Sequence, residues 1–94
     1  MDIGLETAKI RRLIEVFKRD IYGGGLGDKA MCDAAKEIFK CLDAAAKFSR
    51  GDNLFSHLIT RQRREFELFV VYVYTNASAP ELQKLYFEYK RKHP

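Results

Sequence analysis

The segment from Phe66 to Tyr74, FELFVVYVY, constrains the fold more than any other part of the chain. It is the densest apolar run in the sequence, and it is apolar nearly all round when it is drawn as a helix. Such a helix is surrounded by neighbours or is buried by a second subunit. Its β-branched and aromatic residues would also suit a β-strand, which is the alternative prediction.

The longer stretch from Leu54 to Thr75 favours the helix. At 100° per residue, one set of side chains falls within about 60° of Phe66 and forms a stripe that faces a core. The members of this stripe are Phe55, Ile59, Gln62, Phe69, Val70 and Val73. No other segment offers a strand to pair with, and a lone strand cannot satisfy its backbone hydrogen bonds.

Two amphipathic helices precede this segment, over Leu5 to Tyr22 and Lys29 to Ser49. The glycine-rich sequence between them ends the first helix, and Asp28 is a suitable N-cap for the second. The apolar arc of the second helix is broad and extends to Phe48 at one edge. An arc of this width indicates contact with two neighbouring helices.

The last helix has the clearest start signal, because Ser78 to Glu81 fits a capping box. Pro80 falls in its first turn, where the missing N–H costs nothing. The sequence therefore predicts an all-α protein, a compact antiparallel bundle of about four helices with the third helix central. Its 94 residues form a single helical domain, large enough to bury roughly 60 to 65 % of the surface of the unfolded chain.

The N-terminal sequence MDIGLETAKIRR contains no apolar run typical of a signal peptide, and no stretch approaches the roughly 18 apolar residues of a membrane span. We therefore expect a cytoplasmic or otherwise intracellular protein without a membrane span. Cys32 and Cys41 fall on opposite sides of one predicted helix, about 13 Å apart along its axis. They cannot form a disulfide there.

The soft metal ligands of the chain are Cys32, Cys41, His57 and His93. They lack the close paired spacings of zinc sites, so no metal and no cofactor is predicted. Carboxylates are plentiful, but no motif for acid–base or nucleophilic catalysis accompanies them. The composition therefore favours a binding protein over an enzyme.

The leading functional hypothesis concerns the outer side of the third helix. It carries arginine, aliphatic and aromatic residues together, the composition that protein interfaces favour at their centres. The candidate partner-binding residues are Arg61, Arg64, Leu68, Val71 and, on the fourth helix, Phe87. They predict a small regulator, adaptor or inhibitor that binds a protein partner or associates with itself. The alternative is that the first or fourth helix covers Leu68 and Val71.

The second hypothesis is binding of RNA or DNA by a basic helix surface. The net charge is +4, and arginines contact phosphates well while aromatic rings can stack on bases. The candidate residues are Arg61, Arg63, Arg64, Lys90, Arg91 and Lys92. Glu65 and Glu67 lie four residues after Arg61 and Arg63, so local ion pairs would compete with phosphate for these two arginines.

The third hypothesis depends on Arg50 and His57, which are separated by six residues. This spacing resembles the Arg-x(4–6)-His pattern of the HEPN ribonucleases, which are also helical bundles. The resemblance implies that arginine and histidine from two subunits act together on RNA phosphate. It covers two residues only, and Gly51 follows the arginine where that family commonly has a polar residue.

Overall fold

Four α-helices account for nearly all of the part of the chain that the structure describes. The computed structural model describes residues 3–93. The helices are α1 (Ile3–Tyr22), α2 (Asp28–Phe48), α3 (Asn53–Asn76) and α4 (Pro80–Lys92). The predicted all-α class is confirmed, and the strand alternative for the Phe66 to Tyr74 segment is wrong because this segment lies wholly inside α3.

The two longest helices, α2 and α3, form the middle of the bundle, because α1 and α4 both pack against them. Successive helices are antiparallel. The Gln62 side chain of α3 donates a hydrogen bond to the Thr7 carbonyl of α1 at 3.1 Å, and the Phe69 ring lies 5.9 Å from that of Tyr22. The first contact joins the start of α1 to the middle of α3, and the second joins the end of α1 to a later turn of α3. The two helices therefore run in the same direction.

Aromatic rings from all four helices meet in the core. Phe66 of α3 has no exposed surface. Its ring contacts Phe17 of α1 edge-on at 5.5 Å and Phe39 of α2 at 4.9 Å. Phe39 in turn stacks on Tyr89 of α4, with ring centroids 3.9 Å apart. The apolar segment of α3 is thus only partly covered by neighbours within the same chain. Phe66, Val70 and Val73 are buried, whereas Leu68 and Tyr72 are exposed.

The start of α4 is capped by a residue from another helix. Ala79 is the N-cap and makes no side-chain cap, so the capping box predicted at Ser78 is wrong. The carboxylate of Asp28 instead accepts hydrogen bonds from the backbone N–H groups of Glu81 at 2.9 Å and Leu82 at 3.1 Å. α2 and α4 begin side by side, which brings this carboxylate to the positive end of the α4 dipole.

The sequence analysis predicted Asp28 as the N-cap of α2, and this prediction is wrong. Gly27 occupies that position without a side-chain cap, and Asp28 is the first residue of the helix. Phe48, predicted at the edge of the buried arc, is 59 % exposed. It is the last residue of α2, and its side chain lines the cleft between α2 and α4.

Two further findings concern residues 3–93. None of the described helices combines the length and the apolar character needed to cross a membrane. No cluster of three or more His, Cys, Asp or Glu side chains in this range is placed to hold a metal ion.

Candidate functional site

The outer side of α3 remains uncovered in the bundle. Arg61 and Arg64 are exposed, Leu68 is 65 % exposed and Tyr72 is 53 % exposed. Val71 is partly buried. Neither α1 nor α4 covers Leu68, so its apolar surface is available to a partner.

Phe87 of α4 borders this surface. Its side chain is 53 % exposed, and its ring lies 6.1 Å from the ring of Tyr74. Tyr74 is one helical turn after Val71 and faces α4, so Phe87 lies on the α4 side of the α3 surface. Four of the predicted partner-binding residues therefore lie on α3 and the fifth, Phe87, lies on the neighbouring helix α4, and their role in binding stays a prediction.

The exposed apolar surface extends further along α3 than the sequence analysis predicted. Leu54 is 67 % exposed and Leu58 is 37 % exposed, and both lie on the same side of α3 as Leu68 and Tyr72. Between them, Arg61 and Glu65 form an exposed ion pair with a Nε to Oε1 distance of 3.8 Å, which confirms the local pair predicted for Arg61. The α3 outer stripe comprises Leu54, Leu58, Arg61, Glu65, Leu68 and Tyr72.

A signal for the stripe was present in the sequence. These residues follow one another at intervals of four, three, four, three and four. This is the heptad spacing of a helical seam.

Two of the basic residues proposed for nucleic-acid binding are held in ion pairs with other helices. Arg63 Nη2 lies 2.9 Å from Asp43 Oδ1 of α2, and Lys90 Nζ lies 2.9 Å from Glu67 Oε1 of α3. The local pair predicted between Arg63 and Glu67 is therefore wrong. Arg63 and Glu67 each form an ion pair with a residue of a neighbouring helix instead. These ion pairs are partly buried, so solvent screens them less than an ion pair on an open helix surface.

The remaining basic candidates lie on separate parts of the surface. Arg61 and Arg64 are exposed on α3, and Arg91 is exposed on α4 beside Phe87. Lys92 lines the cleft between α2 and α4. The structure therefore does not gather the six residues into one basic surface, and nucleic-acid binding stays a prediction.

A polar cluster around Asp43 joins α2, α3 and α4. Asp43 Oδ1 accepts hydrogen bonds from Arg63 at 2.9 Å and from the Tyr89 hydroxyl at 3.2 Å. Asp43 Oδ2 lies 3.2 Å from His93 Nε2, and the His93 ring stacks on Tyr89. Burial raises the pKa of the Tyr89 hydroxyl well above its ordinary value; Arg63 lowers that pKa by less, and Asp43 raises it further. The cluster fixes the end of α4 against the bundle.

A pocket of about 610 Å³ lies in the cleft beside this cluster, between α2 and α4. Its apolar lining includes Phe39, Phe48, Leu85 and Tyr89. Four lysines surround it, and within residues 3–93 none of the four is in an ion pair: Lys36, Lys40, Lys47 and Lys92. The carboxylates of Asp43 and Glu88 also line the pocket. Its volume is in the range of small-molecule sites.

The residues of the HEPN-like pattern are both exposed. Arg50 lies in the turn after α2, and His57 lies in the second turn of α3. Neither lines the pocket between α2 and α4. In the HEPN family the two residues act across a subunit interface. The structure of one chain does not test such an arrangement, so the ribonuclease hypothesis stays a prediction.

The two cysteines are free thiols in α2. Burial raises the pKa of both Cys32 and Cys41; Lys36 lowers the pKa of Cys32 by less, and Glu37 raises the pKa of Cys41 further. The thiolate is the nucleophilic form of cysteine, so these surroundings reduce the reactivity of both side chains near neutral pH.

Comparison of the chain with protein families, with curated proteins and with solved structures finds no match in any of the three.

Proposed function

We propose that this protein is a small protein-binding module, a regulator, adaptor or inhibitor, that engages its partner through the outer side of α3 and the adjacent Phe87. The observation that supports the proposal most directly is the exposure of Leu68 and Tyr72 on α3, at 65 % and 53 %, and of Phe87 on the adjacent helix α4, at 53 %. Exposed apolar side chains that lie together mark interaction sites in soluble proteins.

The chemistry of this surface defines what the partner must offer. Burying a leucine or phenylalanine side chain against a partner contributes about 1.5 to 3 kcal/mol each. Arg64 is exposed beside these residues, and an arginine binds a carboxylate with two parallel hydrogen bonds. The partner surface should therefore combine apolar side chains with at least one Asp or Glu.

Leu68→Glu tests the proposal, with Phe48→Glu as the matched control. Both positions are strongly exposed, at 65 % and 59 %, but Phe48 lies on the cleft between α2 and α4. We expect Leu68→Glu to weaken association on the order of tenfold or more, since it places a charge in an apolar contact. Association is measured by sedimentation velocity for the protein alone and by calorimetry with any copurifying protein.

Folding is monitored in both variants by circular dichroism. We expect the helical signal and the melting temperature of Leu68→Glu to match those of Phe48→Glu. Equal loss of association in both variants, or unfolding of Leu68→Glu alone, would contradict the proposal. The second result would show that Leu68 stabilises the bundle itself.

The nucleic-acid hypothesis is tested separately, by binding to labelled RNA and DNA at about 50 and 200 mM salt. Contacts to phosphate weaken steeply over this range. Micromolar binding that is lost at the higher salt concentration, and that Arg64→Ala reduces, would favour nucleic acid over a protein partner.

A further inference from the structure

The α3 outer stripe has the pattern of a coiled-coil seam that has no partner within the described chain. Its six residues repeat at the alternating spacing of four and three that places a and d positions on one line. Its four apolar members are between 37 % and 67 % exposed. In soluble proteins a heptad seam of this kind packs against another helix.

The stripe is also symmetric about its midpoint, residue 63. Leu54 and Tyr72 are each nine residues from the midpoint, Leu58 and Leu68 are each five away, and Arg61 and Glu65 are each two away. Two antiparallel copies of a helix place residues equidistant from the midpoint at the same height, because the rise per residue is constant. Each member of the stripe then faces its counterpart in the second copy.

The charges at the centre of the stripe agree with this arrangement. In an antiparallel pair, Arg61 of one copy faces Glu65 of the other, and symmetry repeats the contact. A parallel pair would place Arg61 beside Arg61 and Glu65 beside Glu65. The two central layers therefore favour the antiparallel pair, and polar layers between apolar layers also fix the register.

We propose that two copies of this chain form a two-fold symmetric dimer in which their α3 outer stripes pack antiparallel, centred on residue 63. This inference rests on the proposed function and names a second copy as the partner. The stripe spans about 27 Å at 1.5 Å per residue, most of the 40 Å length of the molecule. A contact made twice by the same surface is the usual form of a closed dimer.

Charge reversal at the two central layers tests the dimer. Arg61→Glu places glutamates at both central positions of each chain, and Glu65→Arg places arginines at both. We expect each variant alone to dissociate at a concentration on the order of tenfold or more above that of the wild type. Sedimentation equilibrium over a range of concentrations measures the dissociation constants.

Mixing the two variants in equal amounts provides the decisive measurement. A chain with two glutamates and a chain with two arginines are complementary in the antiparallel pair, so we expect the mixture to recover dimers at wild-type concentrations. Each chain in the mixture still lacks its own Arg61–Glu65 pair, so recovery cannot come from contacts within one helix. A monomeric wild type at several hundred micromolar, or a mixture that does not recover, would overturn the dimer.

The orientation is tested by cross-linking in a variant without the native cysteines. Leu58 of one copy faces Leu68 of the other, so a mixture of Leu58→Cys and Leu68→Cys chains should form mixed disulfides. Disulfides between two Leu58→Cys chains would show a parallel pair and overturn the arrangement.

These measurements separate the dimer from the broader proposal. If the wild type is monomeric but Leu68→Glu, and not Phe48→Glu, loses a different protein partner, the dimer is wrong and the protein-binding function stands. If the wild type is a dimer that neither Leu68→Glu nor charge reversal weakens, both the dimer through α3 and the proposed use of this surface are wrong.

Discussion

Replacement of Asp28 by alanine should destabilise the protein through the start of α4, which lies 53 residues further along the chain. The first backbone N–H groups of a helix need acceptors from outside the helix. In α4, Pro80 has no N–H, Gln83 donates to the Ala79 carbonyl, and the other two donors, Glu81 and Leu82, bind the Asp28 carboxylate. Asp28 is therefore the side chain that caps this helix.

The magnitude follows from two contributions. Loss of an N-cap side chain costs about 0.5 to 2 kcal/mol. Loss of a negative charge at the positive end of a helix costs about 0.3 to 1 kcal/mol more. Because both carboxylate oxygens of Asp28 are used, we expect a decrease of about 2 kcal/mol in the free energy of unfolding. For a domain of this size that lowers the melting temperature by about 10 °C.

The assay is urea unfolding followed by circular dichroism, with three comparison variants. Asp33→Ala removes the same charge from an exposed site on α2 and should change stability by less than about 0.5 kcal/mol. Ser78→Ala should be equally mild, since Ser78 does not cap α4. Asp28→Asn keeps one acceptor oxygen and should lie between wild type and Asp28→Ala. Equal effects of Asp28→Ala and Asp33→Ala, or a larger effect of Ser78→Ala, would refute the reasoning.

Two further predictions concern pH and backbone conformation. In the unfolded chain Tyr89 loses its hydroxyl proton above about pH 10, whereas burial raises the pKa of this hydroxyl in the folded state. The free energy of unfolding should therefore fall as the pH rises above 10. This group contributes a decrease of up to about 1.4 kcal/mol per pH unit. Tyr89→Phe should show a shallower decline between pH 10 and 11 in urea titrations, and parallel curves would contradict this. Gly51 has a φ of +87° in the turn between α2 and α3, so Gly51→Ala should cost about 1 to 2 kcal/mol, although a Cβ there meets no atom within 4 Å. In the control Gly25→Ala, φ is not positive and the added Cβ meets only the Asp20 carbonyl oxygen, at 3.8 Å, so this change should alter the melting temperature little.

Helix positions and the buried faces could be predicted because both depend on local periodicity. The Phe66-centred stripe identified the core side of α3, and Phe66, Val70 and Val73 are buried as expected. The exposure of Leu68 could not be predicted, because it depends on which side of α3 its neighbours occupy. The sequence allowed either α1 or α4 to cover it.

The sequence by itself determined the helical class, the antiparallel order and the composition of the α3 outer surface, because these follow from spacing along one helix and from short connections. The tertiary structure alone decided which partner each charged side chain meets. Asp28 caps α4, Arg63 binds Asp43, and Glu67 binds Lys90. These contacts join residues 20 or more positions apart in sequence, and such distances are fixed by packing between helices, which no local pattern encodes.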